Sequence, residues 1–213
     1  MVRVAVLVSG GGTNLQAIID AKAAGKIPSA ELALVLASND KAYALERAAK
    51  AGIPSTVLRK AKGEDVTLYG ERLLEVLRKH EIDLVVLAGF LTILPENVIR
   101  AYDHRILNVH PSLIPSFCGD GFYGLRVHEA ALAKGVKVTG ATVHFVNEIP
   151  DDGDIIAQKA VEVLPGDTPE ILQRRVMEQA EWLLLPQALE DVSKNLLEVP
   201  AAAGGTSTNA LDN

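Results

Sequence analysis

Short runs of apolar, β-branched residues alternate with amphipathic stretches along the first half of the chain. This pattern predicts a parallel sheet whose strands are buried on both faces by crossover helices. Val2–Val8 reads as the first strand, Gly10–Thr13 as a turn, Leu15–Ala24 as a helix, and Ala30–Ala37 as a second strand ending at Ser38-Asn39-Asp40. Ala42–Ala51 continues as a helix stopped by Gly52 and Pro54, and Val66–His80 places Val66, Leu73, Leu74 and Leu77 on one helical face. Leu84–Ala88 is the next strand. After Pro95 a short helix leads to the strand Arg105–Val109, and the chain then enters a loop, His110–Gly124, bracketed by proline and rich in glycine.

Two later runs, Val138–Val146 and Ile155–Leu164, are β-rich, and the alternation in Thr142-Val143-His144-Phe145 points to antiparallel additions exposed on one face. A last long helix begins at Asp167 or Thr168, where either side chain caps free amides and Pro169 fits the first turn; Pro186 predicts a kink. Trp182, Leu183, Leu184 and Leu185 read as core. The expected class is therefore α/β, with a mostly parallel central sheet, antiparallel additions and helices on both faces. Residues 1–190 form one domain in this reading, and 191–213 a C-terminal extension. From about residue 201 the extension lacks bulky core residues and is expected to be disordered.

Composition narrows the function classes. At 213 residues and 48% hydrophobic content the chain is long enough to bury a full core. A formal charge of -6 gives no general attraction to nucleic acid or to anionic membranes, so neither is an expected partner. The single cysteine, Cys118, cannot form an internal disulfide, which fits a cytoplasmic chain. Met1–Gly12 turns polar too quickly for a signal peptide, and no apolar run reaches membrane-spanning length.

The candidate chemistry starts at Ser9-Gly10-Gly11-Gly12-Thr13-Asn14, between the first strand and helix. Glycines there let backbone amides approach an anion at a helix N-terminus, and phosphate is the natural guest; a ligand-free tight turn is the other reading. A dinucleotide fingerprint would need a third glycine where Leu15 stands, so Asp40 keeps a nucleotide-binding oxidoreductase open only as an alternative. At the end of a strand, Asn108 and His110 alternate with Val109 and so share a side. An amide donor beside a titratable imidazole suits acyl transfer, in which an oxyanion develops. Asp151-Asp152-Gly153-Asp154 reads as a solvated turn, an acidic cluster or the source of a carboxylate that holds His110. His104, His128 and His144 lack a compact ligand spacing, and no metal is expected.

Taken together, Ser9–Leu15, Leu87-Ala88-Gly89-Phe90, Asn108–Leu113 and Thr142–Phe145 resemble the phosphoribosylglycinamide formyltransferases, a folate-dependent family, with the likeness running from residue 1 to about 190. The resemblance implies a Rossmann-like formyltransferase fold. It also implies 10-formyltetrahydrofolate as co-substrate, glycinamide ribonucleotide as acceptor, and a monomer or homodimer serving de novo purine synthesis. By the same resemblance Asn108, His110 and Asp151 are catalytic, with Asp151 raising the His110 pKa. Gly12, Thr13 and Asn14 take the substrate phosphate, and Leu91, Thr92, Ile93, Leu94 and Asn108 frame the folate. Thr92 stands where arginine is frequent, Trp182 where histidine is, and Cys118–Tyr123 look inserted. Formyltetrahydrofolate deformylase, a hydrolase with a similar core, is the nearest alternative.

Overall fold

The structure, a computed structural model, describes residues 1–198. Five parallel strands, Val2–Val8 (β1), Ala30–Ala37 (β2), Ser55–Val57 (β3), Leu84–Leu87 (β4) and Ile106–His110 (β5), are extended by two antiparallel ones, Val138–Phe145 (β6) and Ile155–Glu162 (β7). Across the sheet the order is β3-β2-β1-β4-β5-β6-β7. The helices are Thr13–Ala23 (α1), Ala44–Lys50 (α2), Val66–Lys79 (α3), Glu96–Ala101 (α4), Leu125–Lys134 (α5), Pro169–Val176 (α6) and Trp182–Glu198 (α7).

The two-residue alternation of β1 sorts its side chains between two cores. Val4, Val6 and Val8 pack with Leu15, Ile18, Leu185 and Leu189 on the face covered by α1 and α7. Ala5 and Leu7 pack with Leu73, Leu77, Val98 and Ile106 on the face covered by α3 and α4. Each large apolar side chain so buried contributes about 1.5–3 kcal/mol. A third cluster, including Ala131, Ala141, Val161, Leu172 and Val176, seats α5 and α6 against the antiparallel strands.

This arrangement locates the working end of the sheet. β1 lies between β2 and β4, so chain order reverses there and a crevice opens beyond the strands' carboxyl ends. The loops leaving β1 and β4 are tied across it: the Ser9 amide donates to the Gly89 carbonyl at 3.1 Å, and the Leu91 amide donates to Ser9 Oγ at 2.9 Å.

Several expectations are revised. Val66 is 48% exposed, and Tyr69 joins Leu73, Leu74 and Leu77 on the buried face instead, because Val66 begins the helix beyond the edge of the core. Leu183 is 55% exposed and Trp182 only partly covered, so the run Trp182–Leu185 is core chiefly through Leu185. Thr168 caps α6 by accepting from the Ile171 amide, with Pro169 at the first position, while Asp167 pairs with Arg175. The irregularity expected at Pro186 sits earlier, in a π-helical segment over Met177–Glu181. Pro186 has no N–H for the Trp182 carbonyl, and its ring crowds the preceding turn. α7 also crosses the boundary expected at residue 190, with Val192 and Ser193 buried. The disorder expected from about residue 201 concerns positions outside the described residues.

Candidate active site

The antiparallel register of β5 and β6 builds the centre of the site. Asn108 and His110 point to one side of β5, and pairing sets His144 opposite Asn108 and Thr142 opposite His110. The turn between β6 and β7 then brings in Asp151, at a left-handed φ of 57°. Gly153 permits this turn, since a Cβ there would stand 1.9 Å from the Phe145 carbonyl oxygen. The aspartate is thus held by backbone geometry, and the three residues expected to be catalytic converge.

Asp151 is the hub. Its Oδ2 lies 3.4 Å from His110 Nδ1 and accepts from the Gly119 amide at 2.9 Å, while its Oδ1 lies 3.6 Å from His144 Nε2 and 3.4 Å from Asn108 Nδ2. Asn108 Nδ2 is 3.1 Å from His144 Nε2. His144 Nδ1 faces the Phe145 carbonyl at 2.7 Å and His110 Nε2 faces the Phe117 carbonyl at 2.8 Å. A carbonyl only accepts, so each of those ring nitrogens carries a proton. His144 Nε2 then faces both the Asn108 amide and the Asp151 carboxylate, and a second proton on His110 would sit on Nδ1, aimed at Asp151.

The electrostatics of His110 set burial against Asp151, which acts upward on the pKa as expected. Burial pushes His110 below the ordinary histidine range; the Asp151 charge and the Phe117 carbonyl act upward and His144 acts downward, but burial prevails. Asp151 thus favours the imidazolium without raising the net pKa. Burial also opposes ionisation of Asp151. The His144 hydrogen bond, the His110 charge and the Gly119 amide outweigh it, holding the carboxyl below its usual value.

A pocket of about 170 Å³ adjoins this cluster, lined by Phe90, Leu91, Thr92, Ile93 and Leu94 together with Asn108, His144 and Asp151. The segment expected to frame a folate therefore borders the expected catalytic residues. Leu91 and Ile93 are exposed at the mouth, whereas Leu94 is buried in the second core.

At the end of β1, Gly12 caps α1 in a left-handed conformation with no side-chain cap. The first amides of the helix are left to meet an anion. Thr13 lies at that terminus. Asn14 departs from its expected use: its side-chain amide is buried and donates to Glu181 Oε2 at 2.8 Å. Burial raises the Glu181 pKa to about 6 against the lowering effect of the Asn14 hydrogen bond. Asp40, the feature behind the oxidoreductase alternative, pairs with Arg59 on the surface, and Leu15 is fully buried where that fingerprint needs glycine.

His144, Glu181 and the backbone of the 117–119 loop were not among the expected site residues. His144 is visible in the alternation of Thr142–Phe145, but its place opposite Asn108 depends on strand register. Glu181 lies 167 positions from Asn14, with no local signal joining them. Cys118 contacts the Pro115 carbonyl, and burial with the charges of Asp151 and Asp152 pushes its thiol pKa upward, opposing a nucleophilic role. Among the described residues no group of three or more His, Cys, Asp or Glu is placed to hold a metal ion, and no helix is long and apolar enough to cross a membrane.

The chain is also similar to proteins of known family. The family described as formyl transferase matches residues 2–189. Phosphoribosylglycinamide formyltransferase, chloroplastic, of Arabidopsis thaliana is 42% identical over 182 residues, covering 85% of this chain and 62% of the relative. The chain thus spans about three fifths of that relative's length. The crystal structure of glycinamide ribonucleotide transformylase 1 from Symbiobacterium toebii is similar with a TM-score of 0.85 and 42% identity, over 92% of this chain and 89% of that one. A formyltetrahydrofolate deformylase from Pseudomonas syringae has a TM-score of 0.81 at 26% identity, over 91% of this chain and 62% of its own. The sheet order, the Asn–His–Asp cluster and the family match lead to one assignment: the chain belongs to the formyl transferase family.

Proposed function

We propose that this chain transfers a formyl group from 10-formyltetrahydrofolate to the amine of glycinamide ribonucleotide in de novo purine synthesis. The observation that carries the reading is the meeting of Asn108, His110 and Asp151 beside the apolar 90–94 pocket, at the same sheet end as the helix terminus at Gly12–Thr13. Support comes from relatives at about 40% identity that bear the phosphoribosylglycinamide formyltransferase name. The acceptor's phosphate would sit on the α1 amides, and a pterin ring would lie against Leu91–Leu94 and Asn108. The co-substrate supplies a formyl carbon activated for attack by an amine.

The chain's residues fit that chemistry. Asn108 Nδ2, now turned toward His144 and Asp151, is a donor for a developing oxyanion. His110 can hold a proton on Nδ1 against Asp151 and keep Nε2 donating to the Phe117 carbonyl, so its cation is hydrogen-bonded at both ends. Its lowered pKa keeps the resting ring largely neutral, and charge building up in the site would draw the proton on. Partners in this reading are small molecules, and the location is the cytoplasm. Changing either Asn108 or His110 to Ala should lower transfer by roughly a hundredfold, the scale of a lost oxyanion donor or acid. Near-wild-type turnover by either variant would overturn the assignment.

A further inference from the structure

A larger cleft, about 670 Å³, lies outside the His110–Asp151 cluster, between α1 and α7. Its volume is that of a small-molecule site. One wall is Ala17 and Ala21 of α1 with Ala24 just beyond its end, and the other is Trp182, Leu183 and Pro186 of α7. The short alanine side chains leave the space beside the indole unfilled. Positive charge is placed at both ends: Arg47 at the glycine-turn end, Lys26 at the other.

Two polar details favour a ligand over a simple crevice. Asp20 Oδ1 receives Gln16 Nε2 at 2.8 Å, leaving the second oxygen to accept from a hydroxyl or amino group. Arg47 is held in place by donating to the Gly11 carbonyl at 2.8 Å and to Gln16 at 2.9 Å, with its guanidinium 5.2 Å from the Tyr43 ring centroid.

We infer that this cleft is a second binding site, for a planar heteroaromatic anion of the mononucleotide type, its ring against Trp182 and its phosphate toward Lys26. The charged ends select an anion, the indole and alanine walls select a flat ring, and Asp20 accepts from a sugar hydroxyl or ring amine. Because Arg47 also grips the Gly11 carbonyl, occupancy bears directly on the turn that begins α1. The inference does not depend on formyl transfer.

Trp182 is the chain's single tryptophan and lines the cleft, so its fluorescence reports binding there. The probe is AMP, titrated into the full-length protein, with adenosine and inorganic phosphate in parallel. Saturable quenching by AMP is expected, with adenosine about tenfold weaker and phosphate alone giving no quench. Ala21→Phe, which fills the cleft, should abolish the quench while circular dichroism stays that of the folded protein. Lys26→Glu, a change at an exposed position, should weaken AMP by about threefold or more and decides the matter if Ala21→Phe does not fold. No saturable quench by AMP at millimolar concentration would overturn the inference. So would an equal quench by the folded Ala21→Phe variant, which would place AMP at the glycine turn, or in its absence an equal affinity in Lys26→Glu.

Discussion

Glu181 offers the most quantitative test of how the glycine turn is supported. The residue is 6% exposed, and its carboxyl's partner is the Asn14 amide. A carboxyl whose pKa rises from 4.5 unfolded to about 6 folded binds its proton more tightly in the native state. The associated stability is fully present below pH 4.5 and is lost as pH rises through about 6, a change of about 2 kcal/mol in total. Glu181→Gln keeps an oxygen to accept from Asn14 and removes the ionisation. The variant should therefore gain about 2 kcal/mol on wild type at pH 7.5, or roughly 4–8 °C in Tm for a chain of this size, and almost nothing at pH 4.5. Urea unfolding of both proteins at the two pH values measures the difference directly, and groups common to both cancel. A variant no more stable than wild type at pH 7.5, or an advantage independent of pH, would refute the reasoning.

Three other outcomes follow from the same geometry. Asp151→Asn removes the charge that favours the His110 imidazolium, leaving burial and His144 less opposed, so the limb of the kcat/KM profile that reports His110 should move to lower pH with turnover down by roughly tenfold or more; an unchanged profile would contradict the role given to Asp151. Gly12→Ala places a Cβ 2.6 Å from Ala44 Cβ at a φ of +70°, and should cost about 2–4 kcal/mol in urea unfolding; a change under about 0.5 kcal/mol would show that the turn yields freely. His128 is fully buried with both ring nitrogens unpaired among the described residues, and burial, aided by His110, lowers its pKa to about 4. Its contribution is present above pH 6.5 and lost as pH falls through 4, about 3 kcal/mol in all, so His128→Gln should flatten the acid side of the stability curve, and equal acid slopes would exclude this source.

Much of the fold is legible from local pattern. The β1–α1–β2 unit, the buried faces of the strands and the Thr168-Pro169 helix start each follow from a period or cap contained in a few residues. Asn108 and His110 are equally local, sharing a face because one residue separates them. What escaped detection is non-local. His144 becomes a site residue only because β5 and β6 pair in a register that sets it opposite Asn108. Glu181 is aimed inward by a π-helical segment that the apolar run around it does not announce. Asn14 has the residue type of an anion ligand, yet its helical position turns its amide toward that carboxyl. The sign of the His110 shift likewise depends on how deeply the 110–124 loop buries the ring, a quantity absent from the spacing of His110 and Asp151.

The central claim rests on where the formyl group goes, and acceptor dependence tests it most directly. With 10-formyltetrahydrofolate alone, the protein should release almost no tetrahydrofolate. Adding glycinamide ribonucleotide should start release, with one formylated acceptor for each tetrahydrofolate formed. Equal release with and without the acceptor would contradict the account and make the chain a hydrolase of the same family.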